Sequence, residues 1–170
     1  RKWDPIHAEK VADHAGKIAK KMGLEPYLQE LVKKAALVHD IGKITIPSKI
    51  LNKDASLTQK ELEQIKRHPE SGYQILRSVD EYASVAMIIL SHHEWVDGSG
   101  YPEKLKGEDI PLASRIIAVA DSYDAMTSGR IYTDCKTKEE AIQELRACAG
   151  SQFDPEVVSV FIEQVLLYGE

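Results

Sequence analysis

The chain has 170 residues, 43% of them hydrophobic and 29% charged, which suits one globular domain with a full apolar core. A net charge of -5 argues against a broad basic surface for nucleic acid or anionic membrane. No apolar run reaches the roughly 18 residues that a membrane span needs, and no signal peptide is visible. Two cysteines, Cys135 and Cys148, form no spaced ligand set and read as reduced thiols of a cytoplasmic protein. With Arg1 in place of an initiating Met, residues 1–170 read as a domain-sized piece of a longer protein.

Almost every segment reads as helix. His7, Val11, His14 and Ile18 share one helical stripe, which Gly23 closes. Leu28 to His39 gives a second helix with Leu31, Ala35 and Val38 inward, and it breaks at Gly42. Ile44 to Leu51, with Pro47, reads as an extended linker. Thr58 with Glu61 is a capping-box signature, and Pro69 predicts a kink or a new start just after His68. Ser84 to Glu94 is helical, 95–110 is a glycine-rich loop, and Pro111 to Thr127 is a long apolar helix. Thr137 with Glu140 caps the next helix, and Asp154-Pro155 starts the last. The fold class is all-α.

The chemistry lies where polar residues interrupt these apolar faces. His92-His93-Glu94 ends one apolar run, and a glycine-rich turn then closes on Tyr101-Pro102. His39-Asp40 follows Ala-Ala-Leu-Val and sets a neutral ligand beside a carboxylate whose two oxygens can bridge two metals. His7 lies on the inward stripe of the first helix. Asp121 sits inside an apolar run, where a lone carboxylate is costly to bury without a metal or a partner. With His68 these make five histidines and two aspartates. Taken singly, His7 and His68 read as satisfied core residues, and His14 keeps that reading. Glu94 reads either as a ligand or as a carboxylate that orients one. Asp124 bonds within its own helix, pairs with Arg130, or supports a ligand. Gly98, Gly100 and Pro102 also fit plain turn chemistry.

His39-Asp40-Ile41-Gly42-Lys43, His68-Pro69, and His92-His93-Glu94 running through Asp97-Gly98-Ser99-Gly100-Tyr101-Pro102 together resemble the signature of the HD-GYP family. Ala120 to Thr127 and Gln152-Phe153-Asp154-Pro155 extend the resemblance over nearly the whole chain. It implies a helical bundle of the HD-domain type with a Gly-Tyr-Pro loop. The implied activity is metal-dependent hydrolysis of cyclic di-GMP to linear pGpG, with a further cut to GMP left open.

Roles carry over by position. His7, His39, Asp40 and Asp121 resemble the ligands of one metal. Asp40, as a catalytic bridge, with His68, His92 and His93 resembles the shell of a second. The resemblance favours iron or manganese, with zinc or nickel also accommodated. Lys43 matches a residue that contacts the scissile phosphate. Gly100, Tyr101, Pro102 and Arg130 match substrate-binding positions, and Glu94 and Asp124 match supporting ones. A GGDEF-domain protein is an implied partner for the Gly-Tyr-Pro loop. Some members hold a third metal through a glutamate where this chain has Trp3, so two metals are expected. Thr133 replaces a basic residue common in the family, leaving substrate choice open. Two alternatives stand beside this reading: an HD-type phosphohydrolase for another nucleotide or cyclic dinucleotide, and a regulatory module that binds a ligand or partner and turns over slowly.

Overall fold

The computed structural model describes residues 4–128 and 135–167. Trp3, Thr133 and Arg130 therefore lie outside the described residues. Nine α-helices are ordered along the described chain: α1 Pro5–Lys21, α2 Pro26–Leu37, α3 Ser48–Leu51, α4 Gln59–Lys66, α5 His68–Leu76, α6 Ala83–Leu90, α7 Leu112–Thr127, α8 Lys138–Ala147 and α9 Pro155–Val160. A π-helical stretch, Phe161–Leu166, continues α9. The described residues contain no β-strand, only one isolated bridge between Ala149 and Phe153. None of their helices is long and apolar enough to cross a membrane.

The helix starts are set by local chemistry. Asp4 accepts the backbone N–H of Ile6 and His7, satisfying donors that have no partner inside α1. Complete capping boxes open α4 (Thr58, Glu61) and α8 (Thr137, Glu140). Asp154 caps α9, with Pro155 in its first turn. The new start expected at Pro69 is present: α4 ends at Lys66 and α5 begins at His68.

The core joins Val11, Ala15 and Ile18 of α1, Val32 and Ala35 of α2, Val85 and Ile89 of α6, and Ile116, Ile117 and Val119 of α7. Each large aliphatic side chain buried there contributes about 1.5–3 kcal/mol from area removed from water. A smaller cluster, Ile46, Ile50 and Leu51, packs with Leu57 and Ile65.

Two expectations about boundaries are corrected. The segment read as an extended linker is a 3-10 turn, Ile41–Thr45, followed by α3. Ile46, between the turn and α3, and Ile50 and Leu51 of α3 are all buried in the smaller cluster. Helices α2 and α6 also stop early, at Leu37 and Leu90. Within a helix, successive side chains diverge by about 100°. Leaving the helix before His39-Asp40 and His92-His93 lets both members of each pair face one centre.

Gly42 carries the closest backbone approach. A Cβ there would lie 1.8 Å from the His68 carbonyl oxygen and 2.7 Å from the Gly72 nitrogen. Gly42→Ala is expected to cost about 2 kcal/mol or more, read as a lower denaturation midpoint with an unchanged slope.

Candidate metal centre

Five imidazoles and two carboxylates from α1, α7, the start of α5 and the turns after α2 and α6 converge at one place. Their ligand atoms fall into two groups, His7, His39 and Asp121, and Asp40, His68, His92 and His93, each with all atoms within 4.8 Å of one another. Donors placed about 2.1 Å from a shared ion lie about 3–4 Å apart, so both groups have the dimensions of a coordination shell.

Asp40 joins the groups. Its Oδ2 lies 3.3 Å from His39 Nε2, while its Oδ1 lies 3.2 Å from His68 Nε2 and 3.8 Å from His92 Nε2. Asp121 Oδ1 is 2.7 Å from His7 Nε2 and 3.3 Å from His39 Nε2. His93 Nε2 is 3.2 Å from His68 Nε2. All these side chains are buried except Asp121 and His93, which are partly open.

Three of the imidazoles are oriented in the same way. His39 Nδ1 bonds the Ala36 carbonyl at 2.6 Å, His68 Nδ1 that of Ile65 at 2.8 Å, and His92 Nδ1 that of Ile89 at 2.5 Å. A carbonyl only accepts, so Nδ1 is assigned a proton in each ring and Nε2 is the nitrogen that faces inward. These carbonyls belong to the last turns of α2, α4 and α6, where a helix runs out of its own donors. His7 is held by a carboxylate, with Nδ1 2.5 Å from Asp124 Oδ2. Asp124 thus reaches across to α1 rather than bonding within its own helix, and Arg130 lies outside the described residues.

The electrostatics fit a cation. Burial, then the neighbouring His93, holds His92 well below the usual histidine range. Burial and His68 bring His93 to about 3. Burial opposes charge on His39, yet Asp40 and then Asp121 raise it well above the usual range. Asp40 stays ionised against burial through His39 and Lys43, whose Nζ is 3.2 Å away. His39 Nε2 is buried and has no hydrogen-bond partner. Neutral imidazoles at His92 and His93, two anionic carboxylates and the buried, unbonded His39 Nε2 form a donor set that suits divalent metal.

The loop after His93 is fastened by Glu94. Its carboxylate accepts the backbone N–H of Glu103 at 2.7 Å and of Leu105 at 2.8 Å. The buried Glu94 therefore orients the loop and not an imidazole. Gly100 folds tightly onto the chain, where a Cβ would lie 2.3 Å from the Trp95 nitrogen. Tyr101 then stacks on His93, with centroids 5.1 Å apart and planes at 14°. Burial, then Asp40, keeps the Tyr101 phenol protonated by raising its pKa.

Sequence reasoning missed Trp95, Ser122 and Gln152. They line a cavity of about 100 Å³ together with His93 and Asp121. Ser122 and Gln152 lie inside segments already singled out, but nothing in their spacing tells which way they face. His14, read as structural, packs edge-on against Tyr123 and Phe161. A larger hollow of about 820 Å³, between α1 and α2, contains none of the clustered residues.

A helical bundle that closes on two imidazole–carboxylate clusters sharing Asp40 defines the class of metal-binding helical domains. The chain belongs to the HD domain family, which it matches over residues 5–157. It is 45% identical over 159 residues to a cyclic di-GMP phosphodiesterase of Thermotoga maritima, covering 92% of this chain and 43% of that protein. It is 40% identical over 159 residues to a 3'3'-cGAMP-specific phosphodiesterase of Vibrio cholerae, covering 92% of this chain and 30% of that protein. The chain thus spans less than half the length of these relatives. The solved structure of a Vibrio cholerae cyclic GMP-AMP phosphodiesterase superposes with a TM-score of 0.74 at 23% identity, covering 96% of this chain and 44% of that one. That likeness supports the fold.

Two outcomes are expected here. Asp124→Ala removes the acceptor at His7 Nδ1 and should weaken metal binding by about 10–100-fold in a chelator competition, with the helical circular dichroism unchanged. Glu94→Gln leaves one acceptor oxygen for two N–H groups. Hydrogen exchange at Glu103 and Leu105 should then accelerate by roughly tenfold.

Proposed function

We propose that this chain is a phosphodiesterase of the HD-GYP type that hydrolyses cyclic di-GMP to linear pGpG. The observation that carries the reading is the joined pair of clusters, in which Asp40 offers one oxygen to each side with Lys43 beside it. His7, His39, Asp40 and Asp121 would hold one divalent ion, and Asp40, His68, His92 and His93 the other. When bound, the two ions supply an acidified water and positive charge for the phosphodiester oxygens. The mixed nitrogen and oxygen donors suit iron or manganese and accommodate zinc or nickel.

The chain's own residues do the rest. Asp40 and Asp121 contribute two negative charges, fewer than two divalent ions bring, so the pocket stays cationic toward a phosphodiester. Lys43 Nζ, 3.2 Å from Asp40 Oδ2, is within reach of a non-bridging phosphate oxygen. Tyr101, with the Gly100 and Pro102 backbone, lines one wall and offers a phenol donor. Arg130 is assigned to the ligand's phosphate or guanine. One displacement at phosphorus opens the ring, which makes the linear dinucleotide the first product. A GGDEF-domain protein would meet the exposed tip of the loop, around Asp97, Ser99 and Glu103. The setting is cytoplasmic, in keeping with two free cysteines.

The 45% identity to the Thermotoga maritima cyclic di-GMP enzyme supports this substrate. The 40% identity to the 3'3'-cGAMP-specific enzyme favours a second reading, a mixed guanine–adenine cyclic dinucleotide. Purified anaerobically and analysed for metal, the chain is expected to hold two ions and to convert cyclic di-GMP to pGpG. Asp40→Ala should lower the rate by at least about 10³-fold. Preferential cleavage of 3'3'-cGAMP would select the second reading. Two ions with tight ligand binding and no turnover would instead make the chain a binding module.

A further inference from the structure

Lys66 ends α4, two residues before His68. Its side chain is exposed, and its ammonium stands 5.5 Å from the centroid of the Tyr101 ring. Two other lysines are engaged by carboxylates: Lys53 by Glu61 at 2.6 Å, and Lys43 by Asp40 at 3.2 Å. Among the described residues no carboxylate pairs with Lys66. Tyr101 in turn stacks on His93. Tyr101 thus contacts both His93 of the metal centre and the exposed Lys66.

A cyclic dinucleotide carries two phosphodiesters on opposite sides of its ring. The one being cut lies at the metal centre, where Lys43 is the neighbouring cation. On that reading the ring holds the other away from the metal centre, with its full negative charge. We propose that Lys66 binds that second, uncut phosphate, with the Tyr101 ring holding the ammonium in place before the ligand arrives. The proposal rests on the cyclic-dinucleotide reading above and names the part of the ligand that this edge recognises. The geometry favours exchange: an exposed cation–π contact is weak, and an ionised phosphate is the stronger partner. Lys66 also lies in the last turn of α4, where a cation complements the helix dipole. That purely structural role would alter stability without altering the Michaelis constant.

The test uses the manganese-loaded chain with two substrates. Cyclic di-GMP has a second phosphate, and bis(4-nitrophenyl) phosphate has only the one that is cut. Lys66→Ala is expected to raise KM for cyclic di-GMP by about five-fold with kcat unchanged, and to leave the aryl diester unaffected. Lys66→Arg should recover most of the loss. Equal KM in native and Lys66→Ala protein, or the same rise on both substrates, overturns the assignment while the substrate reading stands. Native protein that cleaves the aryl diester yet neither binds nor cleaves a cyclic dinucleotide overturns both.

Discussion

The structure depends on a buried carboxylate placed between two sets of imidazoles. Asp40 is almost fully enclosed, yet it faces His39 and Lys43 with one oxygen and His68 and His92 with the other. An isolated anion at such a depth would cost several kcal/mol. It is held there by the charges of His39 and Lys43 and by the ring nitrogens of His68 and His92, which arrive from separate helix ends and turns. A site of this kind attracts cations because the surrounding protein excludes water and weakens screening.

The ends of helices do most of the positioning. Helices α2, α4 and α6 each finish just before a clustered histidine, and each lends a last-turn carbonyl to that histidine's Nδ1. The bond settles two needs together: it gives a terminal carbonyl a donor, and it fixes which ring nitrogen faces inward. The fourth orientation device is different. His7 lies within α1 rather than at its end, so its outer nitrogen is fixed by Asp124 from α7. The packing of α1 on α7, whose buried faces share one core, thereby becomes part of the site.

The loop after His93 shows how a supporting residue differs from a ligand. Glu94 is next in sequence to two clustered histidines, yet its carboxylate is spent on the amides of Glu103 and Leu105. Folding the loop back requires the absence of a side chain at Gly100, and it lays Tyr101 flat against His93. The loop that follows α6 thus holds Tyr101 against His93.

The sequence by itself determined the all-α class, the capped starts at Thr58, Thr137 and Asp154, and the seven residues that converge. Each of these is a local signal, either a side chain bonding its own backbone or a polar residue breaking an apolar period. Tertiary structure alone decided the rest. It set Asp124 on His7, turned Glu94 to the loop, wound Ile44 to Leu51 into a turn and a short helix, and brought Lys66 over Tyr101. Those outcomes depend on which elements pack together. His7 and Asp124 are 117 residues apart, and no pattern within one helix encodes the partner that meets it across the core.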